Sequence, residues 1–123
     1  MPKIYLSPST QDQNPYVDGS GSEEYWMNLL ADALEPYLYA NTIAFVRNSP
    51  EMTAASSIAQ ANQLGGFDFY LALHSNASGE GQAGKNRGII VFYYPTSSDG
   101  KRAAELFAAR LREVYPLPSK VTT

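Results

Sequence analysis

Four short apolar runs, residues 3–6, 43–46, 67–74 and 88–94, alternate with stretches whose apolar side chains recur at helical spacing, and no other feature constrains the fold as much. Strands separated by helical segments predict an α/β fold built on a mostly parallel central sheet, because parallel neighbours need long crossovers and those crossovers lie on the faces of the sheet. The predicted architecture is a three-layer sandwich. At 123 residues and 44% hydrophobic, the chain is long enough for one real core, so residues 1–123 read as a single domain.

The connecting segments carry the punctuation this architecture needs. After the first run, Ser7-Pro8-Ser9-Thr10 opens a polar loop through Gly21 that is long enough to be functional. From residue 22 to about 39, Met27, Leu30, Ala31, Leu34 and Leu38 form one apolar stripe, and Pro36 is expected to kink or shorten that helix. Ser49-Pro50 reads as an N-cap with Pro at the first helical position, opening a helix over residues 51–63 with Ala55, Ile58, Ala59 and Met52 inward and Gly65-Gly66 as its stop. A Gly-rich loop over residues 78–84 precedes the fourth run. Ser98 or Asp99 can cap a last helix lined by Ala103, Ala104, Phe107, Leu111 and Val114, and residues 116–123 are expected to stop without a closing element.

Charge and composition exclude several classes of function. A net charge of -3 and a pI near 5.0 leave no basic footprint for nucleic acid or an anionic membrane surface. The absence of cysteine removes disulfides, thiolate metal sites and a Cys nucleophile together. No apolar stretch approaches membrane-spanning length and no signal peptide is visible, so the expected location is the cytoplasm, or the cell wall after release by lysis.

His74 is the only histidine, and it stands at the exit of the third apolar run, before the turn-forming Ser75-Asn76-Ala77-Ser78-Gly79. Open α/β sheets bind their ligands at the carboxyl ends of strands. A lone histidine is more often a hydrogen-bonded structural residue. The segment Leu73-His74-Ser75-Asn76-Ala77, however, resembles the ligand strand of the zinc-dependent N-acetylmuramoyl-L-alanine amidases, type 3, in which the histidine of a hydrophobic-His-x-Asn-Ala motif binds the metal. Val46-Arg47 matches the end of that family's second strand, Ala61-Asn62 the end of its next helix, and residues 88–94 its following strand, all in the family's order.

The resemblance implies a phosphorylase/hydrolase-like domain that cleaves the amide between N-acetylmuramic acid and L-alanine in peptidoglycan, in sporulation, germination or phage lysis as an endolysin. It implies zinc as cofactor, His74 as one ligand, and Glu23 or Glu24 at the start of the first helix as another. Glu23 is the preferred carboxylate, because Met27, Leu30, Ala31, Leu34 and Leu38 share its helix face. From local sequence alone capping is the preferred role, since Ser20-Gly21-Ser22-Glu23 fits a capping box and a helix N-terminus favours negative charge on either glutamate. Gln11 and Asn76 are the substrate-facing candidates; Asn76 serves equally to hold its loop.

Two positions depart from the family pattern. Thr10 stands where the first histidine ligand belongs, with Gln11 beside it, and neither is a good zinc donor; Asp12 is the nearest carboxylate in sequence. No residue matches the family's late general-base glutamate, for Glu80 lies in a loop and Glu105 and Glu113 in the last helix. The expectation is therefore a partial catalytic domain whose final strand and helix lie in a longer protein. The alternative is a non-catalytic relative that binds wall fragments or a protein partner. An apolar face left open by truncation would be hidden by homodimerisation.

Overall fold

The computed structural model describes residues 1–76, 81, 82, 85, 87–115 and 118–123. Its elements run β1 Lys3–Pro8, α1 Glu23–Ala40, β2 Ala44–Arg47, α2 Ala54–Leu64, β3 Phe69–Leu73, β4 Ile89–Phe92, α3 Ser98–Val114 and β5 Ser119–Thr122. This is a mixed α/β fold in which every strand pair is parallel. The chain divides into two compact units, residues 1–76 and 77–123.

In the first unit the strand order is β2-β1-β3, with Leu6 level with Arg47 on one side and Leu71 on the other. Strand side chains alternate between faces, and β1 uses both. Leu6, with Ile4, joins Ala31 and Leu38 of α1 in an apolar cluster that Leu34, Ile43, Phe45, Leu71 and Leu73 complete. Tyr5 and Ser7 point the other way. The Tyr5 ring stacks on Tyr70 with centroids 5.2 Å apart, and its hydroxyl donates to Gln60 Oε1 of α2 at 2.5 Å. Tyr5 and Leu6 are both fully buried, as the central strand of a parallel sheet requires.

The helix boundaries depart from expectation in physically readable ways. Pro36 does not shorten α1, which runs on to Ala40. The bond that Pro36 forfeits is the one to the carbonyl of Asp32, an exposed residue whose carbonyl can meet water instead. The second helix starts at Ala54 rather than at Glu51. Thr53 is its N-cap, with a reciprocal capping box to Ser56, while Ser49-Pro50 forms a turn closed by Met52 N–H to the Ser49 carbonyl at 3.0 Å. Its inward positions are Ser57 and Ala61; Ala55, Ile58 and Ala59 are exposed. Gly65, with φ 65°, ends it where the glycine pair was expected to.

The second unit is a β-α-β crossover. Ser97, one residue before the expected caps, accepts from Gly100 N–H, and Ala104 and Ala108 are the buried positions of α3, while Phe107 and Val114 are exposed. β5 corrects the expectation that the chain stops without a closing element: Ser119, Lys120, Val121 and Thr122 pair in parallel with Ile89, Ile90, Val91 and Phe92. Four polar or β-branched residues suffice for a strand once a partner supplies the ladder.

Candidate functional site

The carboxyl ends of β1 and β3 lie side by side, with Pro8 level with Leu73 and Ser9 N–H bonded to the Leu73 carbonyl at 2.9 Å. His74 is the first residue past β3. Facing it is the first residue of α1, Glu23, whose Oε2 lies 2.8 Å from His74 Nδ1 across 51 residues of sequence. The Glu23 side chain is 7% exposed and that of His74 41%, so a buried carboxylate holds an imidazole that still reaches solvent. With the proton on Nδ1, His74 donates to Glu23 and presents Nε2 as an acceptor.

The local sequence explains how Glu23 comes to point inward. Ser22 is the N-cap, taking Tyr25 N–H on its hydroxyl, so Glu23 is relieved of the capping role that its position also suited. The loop before it is tied at several points: Pro15 bridges Ser22, Tyr16 N–H reaches the Gly21 carbonyl at 2.7 Å, and Glu23 N–H reaches the Asn14 carbonyl at 3.0 Å. Gly21, with φ 135°, is required here, since a Cβ would lie 3.0 Å from the Tyr25 ring and 3.1 Å from Trp26 Nε1. Glu24, one position round the helix, is partly exposed and makes no side-chain hydrogen bond or ion pair among the described residues.

Of the other sequence candidates, Thr10 and Gln11 share with His74 a cleft of about 90 Å³ whose floor includes Ser7, Ser9 and Asn48. Gln11 accepts from Asn14 Nδ2 on Oε1 at 2.6 Å, and its backbone N–H donates to Ser9 Oγ at 3.2 Å. Asp12 and Asn76 are exposed. Glu105 and Glu113 belong to α3 in the other unit, Glu113 pairing with Arg110 at 3.3 Å. Glu80, like residues 78, 79, 83 and 84 of the expected Gly-rich loop, lies outside the described residues.

Three contributions escaped the sequence reading. Asn48, just past β2 and 6% exposed, donates from Nδ2 toward Ser7 Oγ, the Pro8 carbonyl and Ser57 Oγ, fixing the turn after β1 to α2. Arg47 clamps α1 through Asp32, Glu35 and Asn28, and Asn28 Nδ2 in turn donates to the Ser9 carbonyl. The Tyr16 hydroxyl meets Ser75 Oγ at 2.8 Å, binding the loop before α1 to the residue after His74. Asn48 directly follows β2, a polar residue right after a strand, but Val46-Arg47-Asn48-Ser49-Pro50 reads first as a turn.

Glu23 and His74 are chemically suited to a divalent metal. Tetrahedral zinc with bonds of about 2.0–2.1 Å holds two donors roughly 3.3 Å apart, so the pair would open by only about half an ångström to admit the ion. Among the described residues no three His, Cys, Asp or Glu side chains converge, so the donor set stands at two. The fold and site define an α/β protein with a carboxylate–imidazole pair at the carboxyl edge of a parallel sheet. The chain matches no family model, no curated protein and no solved structure.

Proposed function

We propose that the chain is a peptidoglycan amidase-type domain, directed at the amide between N-acetylmuramic acid and L-alanine, with Glu23 and His74 as two ligands of a zinc site. Its architecture on this reading is a three-layer, phosphorylase/hydrolase-like sandwich. The observation that carries the reading is the meeting of Glu23 and His74 at 2.8 Å. Those are the two positions at which resemblance to the amidases asks for ligands, and they lie 51 residues apart in the chain.

Two donors are one fewer than a catalytic zinc takes, so the described residues do not by themselves hold a catalytic ion. What they can do is bind and orient. His74 lies at the cleft with its ring held by Glu23, and Thr10 and Gln11 add neutral polar groups beside it. Thr10 at the family's first histidine position favours a second reading, an amidase-fold domain that binds wall fragments without cleaving them.

Elemental analysis of the purified chain beside Glu23→Ala and His74→Ala, with amide release from purified peptidoglycan, separates the two. Near-stoichiometric zinc that both substitutions abolish, together with cleavage, supports the amidase reading. No zinc after reconstitution and no cleavage overturns it, and retained peptidoglycan binding in that case selects the second reading.

A further inference from the structure

The cleft beside His74 has a chemistry more specific than its position. Its volume, about 90 Å³, is enough for several waters or for a small polar group. Its lining carries polar groups with hydrogen-bonding capacity to spare: the Thr10 hydroxyl makes no hydrogen bond among the described residues, and Gln11 has its Nε2 donors left once Oε1 accepts from Asn14. Apolar lining comes from Ala54 and Ile58 on the first turns of α2, with Pro8 and Ala72. Asn48, also in the lining, has its amide donors engaged by Ser7, Pro8 and Ser57.

Charge decides which ligands such a space accepts. None of the residues lining it is Lys, Arg, Asp or Glu, and the nearby guanidinium of Arg47 is committed to Asp32 and Glu35 at 2.6 and 2.7 Å. A carboxylate, phosphate or ammonium entering the cleft would shed water without meeting an opposite charge among the lining residues, whereas a neutral amide finds the Thr10 hydroxyl, which both donates and accepts, and the Gln11 Nε2 donors. From these observations we infer that the cleft is a subsite for a small neutral amide ending in a methyl group, an acetamido group on a sugar or the N-acyl end of an alanyl peptide. The methyl rests on Ala54 and Ile58, and the amide faces Thr10, Gln11 and His74. This rests on the amidase reading only for the larger molecule that carries the group.

Amide chemical shifts of the labelled, full chain titrated with four probes test the assignment. N-acetylglucosamine and N-acetyl-L-alanine methylamide supply the neutral amide on a sugar and on a peptide, while acetate and glucosamine supply an anion and a cation of similar size. Saturable shifts at Thr10 and Gln11 are expected with at least one of the first pair and not with the second, and the lower dissociation constant identifies the source. Thr10→Val should weaken that binding by about threefold to tenfold, as loss of one hydrogen bond does, and Ile58→Trp, at a half-exposed position, should block it. Acetate binding as well as the amides, or amide binding that survives Ile58→Trp, overturns the inference. Amide binding by a chain that takes up no zinc and cleaves nothing leaves the subsite standing and removes the amidase reading. Zinc-dependent cleavage that Ile58→Trp leaves unchanged, without amide binding, does the reverse.

Discussion

Asn48 shows how much one side chain can organise. Its carboxamide faces three acceptors from β1 and α2 and is 6% exposed. Removing it takes this donor from the Pro8 carbonyl, while Ser7 keeps its bond from Tyr70 and Ser57 its bond to the Thr53 carbonyl, and a buried group left unsatisfied costs about 1–3 kcal/mol. Asn48→Ala should therefore lower the free energy of unfolding by about 1–3 kcal/mol, read as a lower urea midpoint at unchanged slope. Tyr5 adds a dependence on pH. Burial first, and then the neighbouring Tyr70, pushes its phenol above the ordinary 10.0. A raised folded-state value means the folded protein keeps a proton that the unfolded chain gives up, so the contribution is complete below pH 10 and is lost as pH climbs through the raised value. Tyr5→Phe should show a flatter fall in stability above that pH than the parent, and equal slopes in alkaline denaturation would refute the assignment.

At the scale of elements, backbone geometry sets what the β-α-β crossover of the second unit tolerates. Gly88 precedes β4 with φ 130°, and a Cβ there would sit 2.3 Å from the Pro118 carbonyl oxygen, the acceptor that receives Ile89 N–H at 2.9 Å. The obstacle is backbone, so it cannot rotate away. Gly88→Ala should cost about 1–3 kcal/mol and weaken the β4–β5 ladder specifically, which faster amide exchange at residues 89–92 would reveal. The helices were legible to different degrees for a similar reason. The apolar stripe of α1 names much of its buried face correctly, because that face meets the apolar side of β1. The face of α2 was misread because it meets Asn48, and polar Ser57 is one of the two residues it buries, which no apolar periodicity can signal.

Across the whole molecule the two units differ in what holds them. Residues 1–76 bury Tyr5, Leu6, Ala31, Leu38 and Ala61, whereas the described part of residues 77–123 buries Ala104 and Ala108 as its apolar core. Two alanines withdraw far less apolar surface from water than a leucine pair and a tyrosine do. Opening free energies follow local burial. Hydrogen exchange should accordingly protect β1 amides by at least about tenfold more than those of β4 and β5, and equal protection in the two units would show that their stabilities are tied together. No helix among the described residues is long and apolar enough to cross a membrane.

The sequence by itself determined the order and type of the elements up to α3, the glycine stop of α2 and the choice of Glu23 over Glu24 as the carboxylate on the inward face of α1. Those are local properties, set by side-chain period, caps and turn residues within a few positions of one another. Only the tertiary structure decided that Glu23 meets His74, that Asn48 is the hub of the turn after β1, and that residues 119–122 form a strand. Each of these depends on a partner from 9 to 51 residues away along the chain or on another strand's ladder, and an apolar or polar pattern read along one segment holds no information about the segment it will face.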